Sequence, residues 1–167
     1  MSSSNPVPAG FGRRLASLIY DGLVVIAFAM LTTVLFLLLV QGAVSLGWVA
    51  MGDAQDVAEL IQTNTTLYVM RDVLLVLVSI SFFGYFWSKS GQTIGMRAWR
   101  LQVRRKDGSL PNFWQAAWRS LASLCGLGNL LVLVDFKNKR ALQDRLSGCH
   151  VVTLSKEDNK KIYRSLD

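Results

Sequence analysis

From Leu23 to Val40 the chain reads LVVIAFAMLTTVLFLLLV, eighteen positions without a charge or a proline, and LASLIY before it lengthens the apolar run. A bilayer core takes about 20 apolar residues in helical form, so the pattern predicts a first transmembrane helix over about residues 15–40. The run exceeds the roughly 7–15 residues of a signal-peptide core, so the helix is expected to be retained. A second uncharged stretch, VLLVLVSISFFGYFW, follows Asp72 and ends in Phe82, Phe83, Tyr85, Phe86 and Trp87. It predicts a second span over about 67–87, with the aromatics at headgroup level. Arg71 and Asp72 then lie near the opposite surface, snorkelling or paired.

A third apolar segment is shorter. SLASLCGLGNLLVLV, between Arg119 and Asp135, is interrupted by Gly126, Gly128 and Asn129, and glycines with an asparagine stop helices. Residues 112–134 therefore read as a re-entrant or interfacial helical hairpin, with a third transmembrane helix as the alternative. In the basic part of the chain, Trp99, Leu101 and Val103 alternate with Arg100, Gln102 and Arg104, the period of a half-buried strand, and Asp107-Gly108 ends it. CHVVTL, at 149–154, is a second strand candidate. The expected fold is an all-α membrane protein: two transmembrane helices, a re-entrant or third transmembrane helical segment, and a small cytoplasmic β-pair at about 98–105 and 149–154. Residues 1–11 and 155–167 are expected to be flexible ends around a membrane domain at 12–154. The stretch Gly91–Gly95, GQTIG, lacks the GxxxxGK[ST] pattern and reads as a tight turn, not a phosphate cradle.

Charge orients this arrangement. The loop 41–66 carries Asp53, Asp56 and Glu59 and no lysine or arginine, whereas 88–120 carries seven basic residues and the tail eight more, among them Lys137, Lys139 and Arg140. The positive-inside rule puts the basic segments and the N-terminus, with Arg13 and Arg14, in the cytoplasm. An even number of crossings satisfies both ends, which favours the hairpin over a third span. Over all 167 residues the net charge is +7, with 51% hydrophobic and 17% charged positions and a mean hydropathy of +0.34. A chain this apolar is neither disordered nor a disulfide scaffold, and its basic residues flank hydrophobic spans where anionic lipid headgroups are the nearer partner than nucleic acid. The location expected is the inner membrane, multi-pass.

Chemistry-bearing residues are few. One histidine and two cysteines leave little for a metal site, no nucleophile–base pair or HExxH stands at recognisable spacing, and Cys125 and Cys149 are expected to be reduced thiols. The protein is read as a non-enzyme without a cofactor. An ionisable residue within a membrane segment is a functional candidate, and Asp21 is the one charge between Leu15 and Gly52. It follows Arg14 by seven positions, nearly the same helix face about 10 Å deeper, too far for a direct pair. Each needs another partner; Arg119 and Asp144 are the candidates.

Taken together, GFGRRLASLIYD, GQTIGMRAWRLQVRRKDGSL, AAWRSL and ALQDRLSGCHVV resemble the RDD family of small membrane proteins over residues 9–154. The resemblance implies that Arg14 is the signature arginine, Asp21 the first aspartate and Asp144 the second. Many members have His-Asp and Gly-Thr in the last motif; here Gln143 precedes Asp144 and Cys149 follows Gly148, so no histidine-dependent proton step carries over. The activity implied is transport, with cation/proton antiport for some relatives. Two readings follow. Arg14, Asp21, Arg119 and Asp144 couple a small solute or ion through a homo-oligomer, or they form an ionic cluster that locks a cytoplasmic module to the helices of a structural or assembly protein.

Overall fold

The computed structural model describes residues 7–135 and 139–164, the side chains of residues 124, 125 and 163 apart. Two long helices dominate it. Helix α1 (Phe11–Ser45) is continuous over 35 residues, about 52 Å at 1.5 Å per residue. Helix α3 (Thr65–Lys89) has 25 residues. Both are long and apolar enough to cross a membrane. Their apolar side chains point outward on several sides, as Leu23, Met30, Leu38 and Leu39 do on α1 and Val73, Val76 and Leu77 on α3, which is the pattern of helices solvated by lipid rather than by a protein core. Several hydroxyls in these helices bond back to the helix: Thr32 donates to the Phe28 carbonyl and Ser79 to that of Leu75, an arrangement compatible with a medium without water.

The chain divides into two compact units. Residues 24–79 form one, with a core of Phe36, Val40, Val57, Leu60 and Ile61. The loop after α1 contains α2 (Val57–Thr63), a helix the hydropathy pattern does not announce; Asp56 caps it by accepting the Glu59 N–H, and Glu59 accepts from Gln55 N–H. Asn64 then caps α3. Arg71 and Asp72 pair at 3.0 Å, one of the two outcomes expected of them.

Residues 1–23 with 80–167 form the other unit. It holds a three-stranded antiparallel sheet in the order β1 (Val7–Pro8), β3 (Cys149–Thr153), β2 (Leu101–Arg105). The expected β-pair is present in register, Leu101 opposite Thr153 and Arg105 opposite Cys149. It gains an unexpected third strand: Val7 pairs with Thr153 and Pro8 with Val152, and the Ala9 N–H extends the ladder to the Val151 carbonyl. A proline tolerates this because the strand is at the edge. Residues 7–11, expected to be flexible, are thus sheet and helix start, with Ala9 fully buried in the core beside Trp87, Met96, Leu101, Val103 and Val151. The strand expected at 98–105 begins only at Leu101, since 98–99 are the end and cap of the short helix α4 (Ile94–Ala98) and Arg100 turns with φ of +56°; the strand expected at 149–154 ends at Thr153.

The third apolar segment is not one straight helix. Helix α5 (Phe113–Ala122) is followed by a 3₁₀ segment, Leu124–Leu133, with a bend of 76° between the two helical directions. Helix α5 buries Ala116, Ala117 and Arg119, while Trp114, Trp118 and Leu121 form an exposed stripe. Helix α6 (Leu142–Ser147) leads into β3 through Gly148, which takes the left-handed conformation of a helix terminator.

The expected flexible tail contains α7 (Lys156–Arg164). Ser155 caps it by accepting the Asp158 N–H, and its acidic first turn and basic last turn suit the helix dipole. Asn159 ties it down through Gln92 and the Arg97 carbonyl. Of the aromatics expected at headgroup level, Phe82 and Trp87 are buried instead, while Tyr85 is half exposed. Cys149 is a free, buried thiol; the Cys125 side chain and Lys137 lie outside the described residues.

Candidate functional site

Three of the four candidate charges converge. Arg14, one turn into α1, places Nη2 2.8 Å from Asp144 Oδ2. Arg119, on the inner face of α5, places its Nη2 2.6 Å from Asp144 Oδ1. That guanidinium meets the oxygen off its N–H axis, a close ion pair rather than an aligned hydrogen bond. Asp144 stands in the first turn of α6, where its Oδ2 also accepts the Ala141 N–H at 3.0 Å. One carboxylate thus receives two arginines and a helix-start amide, with its side chain at 0% exposure.

Each arginine is held by more than the carboxylate. Arg14 donates from Nε to the Ala9 carbonyl and from Nη2 to the Lys139 carbonyl. Arg119 donates to Ser147 Oγ at 3.3 Å and lies 5.2 Å over the Trp87 ring, a cation–π contact that partly replaces lost hydration. Ser147 in turn donates to the Gln143 carbonyl. For Asp144, burial works to raise the carboxyl pKa, but Arg119 and then Arg14 outweigh it and hold the group below its ordinary range.

Asp21 is not in this cluster. It takes part in none of the ion pairs among the described residues. Its Oδ2 accepts from Thr93 Oγ1 at 2.5 Å and its Oδ1 from the Gly95 N–H at 2.8 Å. The expectation that Arg119 or Asp144 partners Asp21 is therefore corrected: its partners are neutral donors at the start of α4. Thr93 has two tasks, since its Oγ1 also accepts the Met96 N–H as the cap of α4. Gly95 is there for space, because a Cβ would collide with the Ser17 carbonyl oxygen and stand 3.0 Å from the Asp21 carboxyl. The turn in GQTIG is a receptor for a carboxylate on α1. Thr93 before a short helix was a readable cap signal; nothing in the spacing named what else it would hold.

Arg14, Asp21 and Arg119 line a common cavity of about 60 Å³, with Ser17, Asn129 and Gln143 on its wall. Room for one water takes ~10–15 Å³, so the space suits a few waters or a small ion and no larger solute. Its polar wall is not fully paired internally: Arg14 Nη1, Arg119 Nε and Gln143 Oε1 have no hydrogen-bond partner. Gln143 donates to Asn129 Oδ1 at 2.9 Å. It links α6 to the 3₁₀ segment. No group of three His, Cys, Asp or Glu side chains that could hold a metal occurs among the described residues.

Two helices of membrane-crossing length and a buried arginine–aspartate–arginine cluster in a sheet-bearing unit fit an integral membrane protein. The RDD family pattern matches residues 8–148, and the chain belongs to the RDD family. No curated protein and no solved structure matches it.

Proposed function

We propose that the protein is a non-catalytic, multi-pass inner-membrane protein in which the Arg14–Asp144–Arg119 cluster locks a cytoplasmic sheet module to the membrane helices, as a structural or assembly factor. The observation that supports this most directly is the completeness of the Asp144 environment. A fully buried carboxylate with two arginines and a backbone amide is suited to holding α1, α5 and α6 together, and is poorly suited to exchanging a ligand. The basic residues of the module suit anionic headgroups on the cytoplasmic face, and the exposed Trp114, Trp118 and Leu121 stripe of α5 suits the interfacial layer. The test is the abundance of Asp144→Asn in membranes. A strong fall supports the lock; normal abundance and thermal stability remove it.

A second reading, transport of a cation or proton through a homo-oligomer, is favoured by the cavity that Asp21 shares with Arg14 and Arg119. Asp21 there is held by neutral donors, so its charge is not cancelled by a partner. In liposomes Asp21→Asn should then abolish ion-dependent flux while the protein still inserts. Unchanged flux removes this reading and leaves the first intact.

A further inference from the structure

Beyond the charged cluster, a second concave site of about 390 Å³ is lined by Arg14, Lys106, Lys139, Arg140 and His150, with Pro8 and Val151 as its apolar wall. We propose that this pocket binds a phosphate group, as a monoester or diester, carried by an anionic lipid headgroup or by a soluble phosphate compound. The inference does not depend on the function of the cluster.

The charge balance carries the argument. Four cationic side chains and a histidine face one space, and no carboxylate lines it. Asp144 offsets Arg14 from behind, but with its oxygens taken by Arg14 and Arg119 it leaves the charges of Lys106, Lys139 and Arg140 unmet. Lys106, Lys139 and Arg140 take part in none of the ion pairs among the described residues. Gathering like charges in a concavity is unfavourable until an anion joins them, and an anion with several acceptor oxygens satisfies the most donors. His150 responds to the same surroundings: burial lowers its pKa, Asp144 opposes this, and Arg140, Arg104 and Arg119 add to the lowering.

Backbone geometry supports a built site. Lys139 has φ of +50°, a conformation that non-glycine residues seldom adopt. Its N–H donates to the Asp135 carbonyl at 2.8 Å, and its carbonyl receives Arg14 Nη2 at 2.9 Å. The same Lys139 lines an adjoining open groove of about 720 Å³ together with Arg13, Arg104 and one carboxylate, Asp158, so a lining with more basic than acidic groups continues past the pocket. A volume of 390 Å³ exceeds a bare phosphate and lies in the ~300–1,000 Å³ range of small-molecule sites, leaving room for a glycerol or sugar beside the phosphate.

The experiment uses the purified full chain in detergent. Binding of inorganic phosphate is measured by calorimetry, and retention of phosphatidylglycerol against phosphatidylcholine by native mass spectrometry. The pocket variant is Lys106→Gln with Arg140→Gln; the control, Lys160→Gln with Lys161→Gln on exposed positions of α7, removes the same charge. Binding of at least one probe is expected, weakened roughly tenfold or more in the pocket variant and unchanged in the control. Phosphate binding in lipid-free micelles assigns a soluble source, and selective phosphatidylglycerol retention alone assigns a lipid. Absence of binding to either probe, or equal weakening in both variants, overturns the proposal. If the double variant loses its unfolding transition, Lys106→Gln alone, at an exposed position, is read against the same criteria.

Discussion

Arg119 Nη2 stands 2.6 Å from Asp144 Oδ1, and neither side chain is more than 2% exposed. An ion pair this deep is weak evidence for net stabilisation, because desolvation of both partners offsets their attraction. Removing one partner is costly all the same, since the other charge is left buried and unpaired.

Asp144→Ala leaves two arginines facing each other and should destabilise by about 3–5 kcal/mol. Arg119→Ala should cost less, because Asp144 keeps Arg14 and the Ala141 amide. Membrane abundance and thermal unfolding in detergent give the order; a milder effect of Asp144→Ala contradicts the hub role of this carboxylate.

Gly95 and Gly12 make a matched pair. An alanine at 95 meets the Ser17 carbonyl, whereas at Gly12 nothing lies within 4 Å. Gly95→Ala should lower stability by about 1–3 kcal/mol, and Gly12→Ala, in a helix, should be neutral or raise it by up to about 1 kcal/mol. Equal melting temperatures for the two variants would show that α4 does not pack on α1 as described.

Acidification should act in two steps. His150 has a folded pKa below its ordinary 6.5, so the unfolded chain takes up the proton first and stability falls as pH drops below about 6.5. Asp144 has a folded pKa below its ordinary 3.8; its contribution is present above that value and is lost as pH falls through the lower folded one. Melting temperatures between pH 8 and pH 3 should show both declines, and His150→Gln should remove the upper one alone. An unchanged profile in that variant would assign the upper decline to another group.

For topology, Arg164→Cys in a background with Cys125 and Cys149 replaced by serine should react with a membrane-impermeant thiol reagent only after the inner membrane is opened. Labelling in intact cells would put the module outside and reverse the proposed orientation.

Much of this was legible in the chain, and the gaps have physical causes. Uninterrupted apolar runs announce α1 and α3, and period-two alternation announces β2. The seven-residue spacing places Arg14 and Asp21 on one face, which the shared cavity respects. Partner choice is legible only in part: Asp144, named as a candidate, does pair with Arg14, but Thr93 and Gly95 reach α1 through tertiary contacts that helix spacing does not encode, so the neutral partners of Asp21 are not readable from the chain. Strand β1 is two residues long and contains a proline, too short for any period. Helix α7 has scarcely an apolar face, but its Ser155-x-x-Asp158 cap was written in plain view.

The antiparallel ladder that joins Val7–Pro8 to Val152–Thr153 has a consequence in time. Synthesis delivers β1 and Arg14 well before their partners; 125 positions separate Arg14 from the Lys139 carbonyl it binds. While the ribosome works, the arginine must stay hydrated or borrow a lipid phosphate. Closure of the sheet-bearing unit is therefore a late event, with both long helices already made when Asp144 emerges.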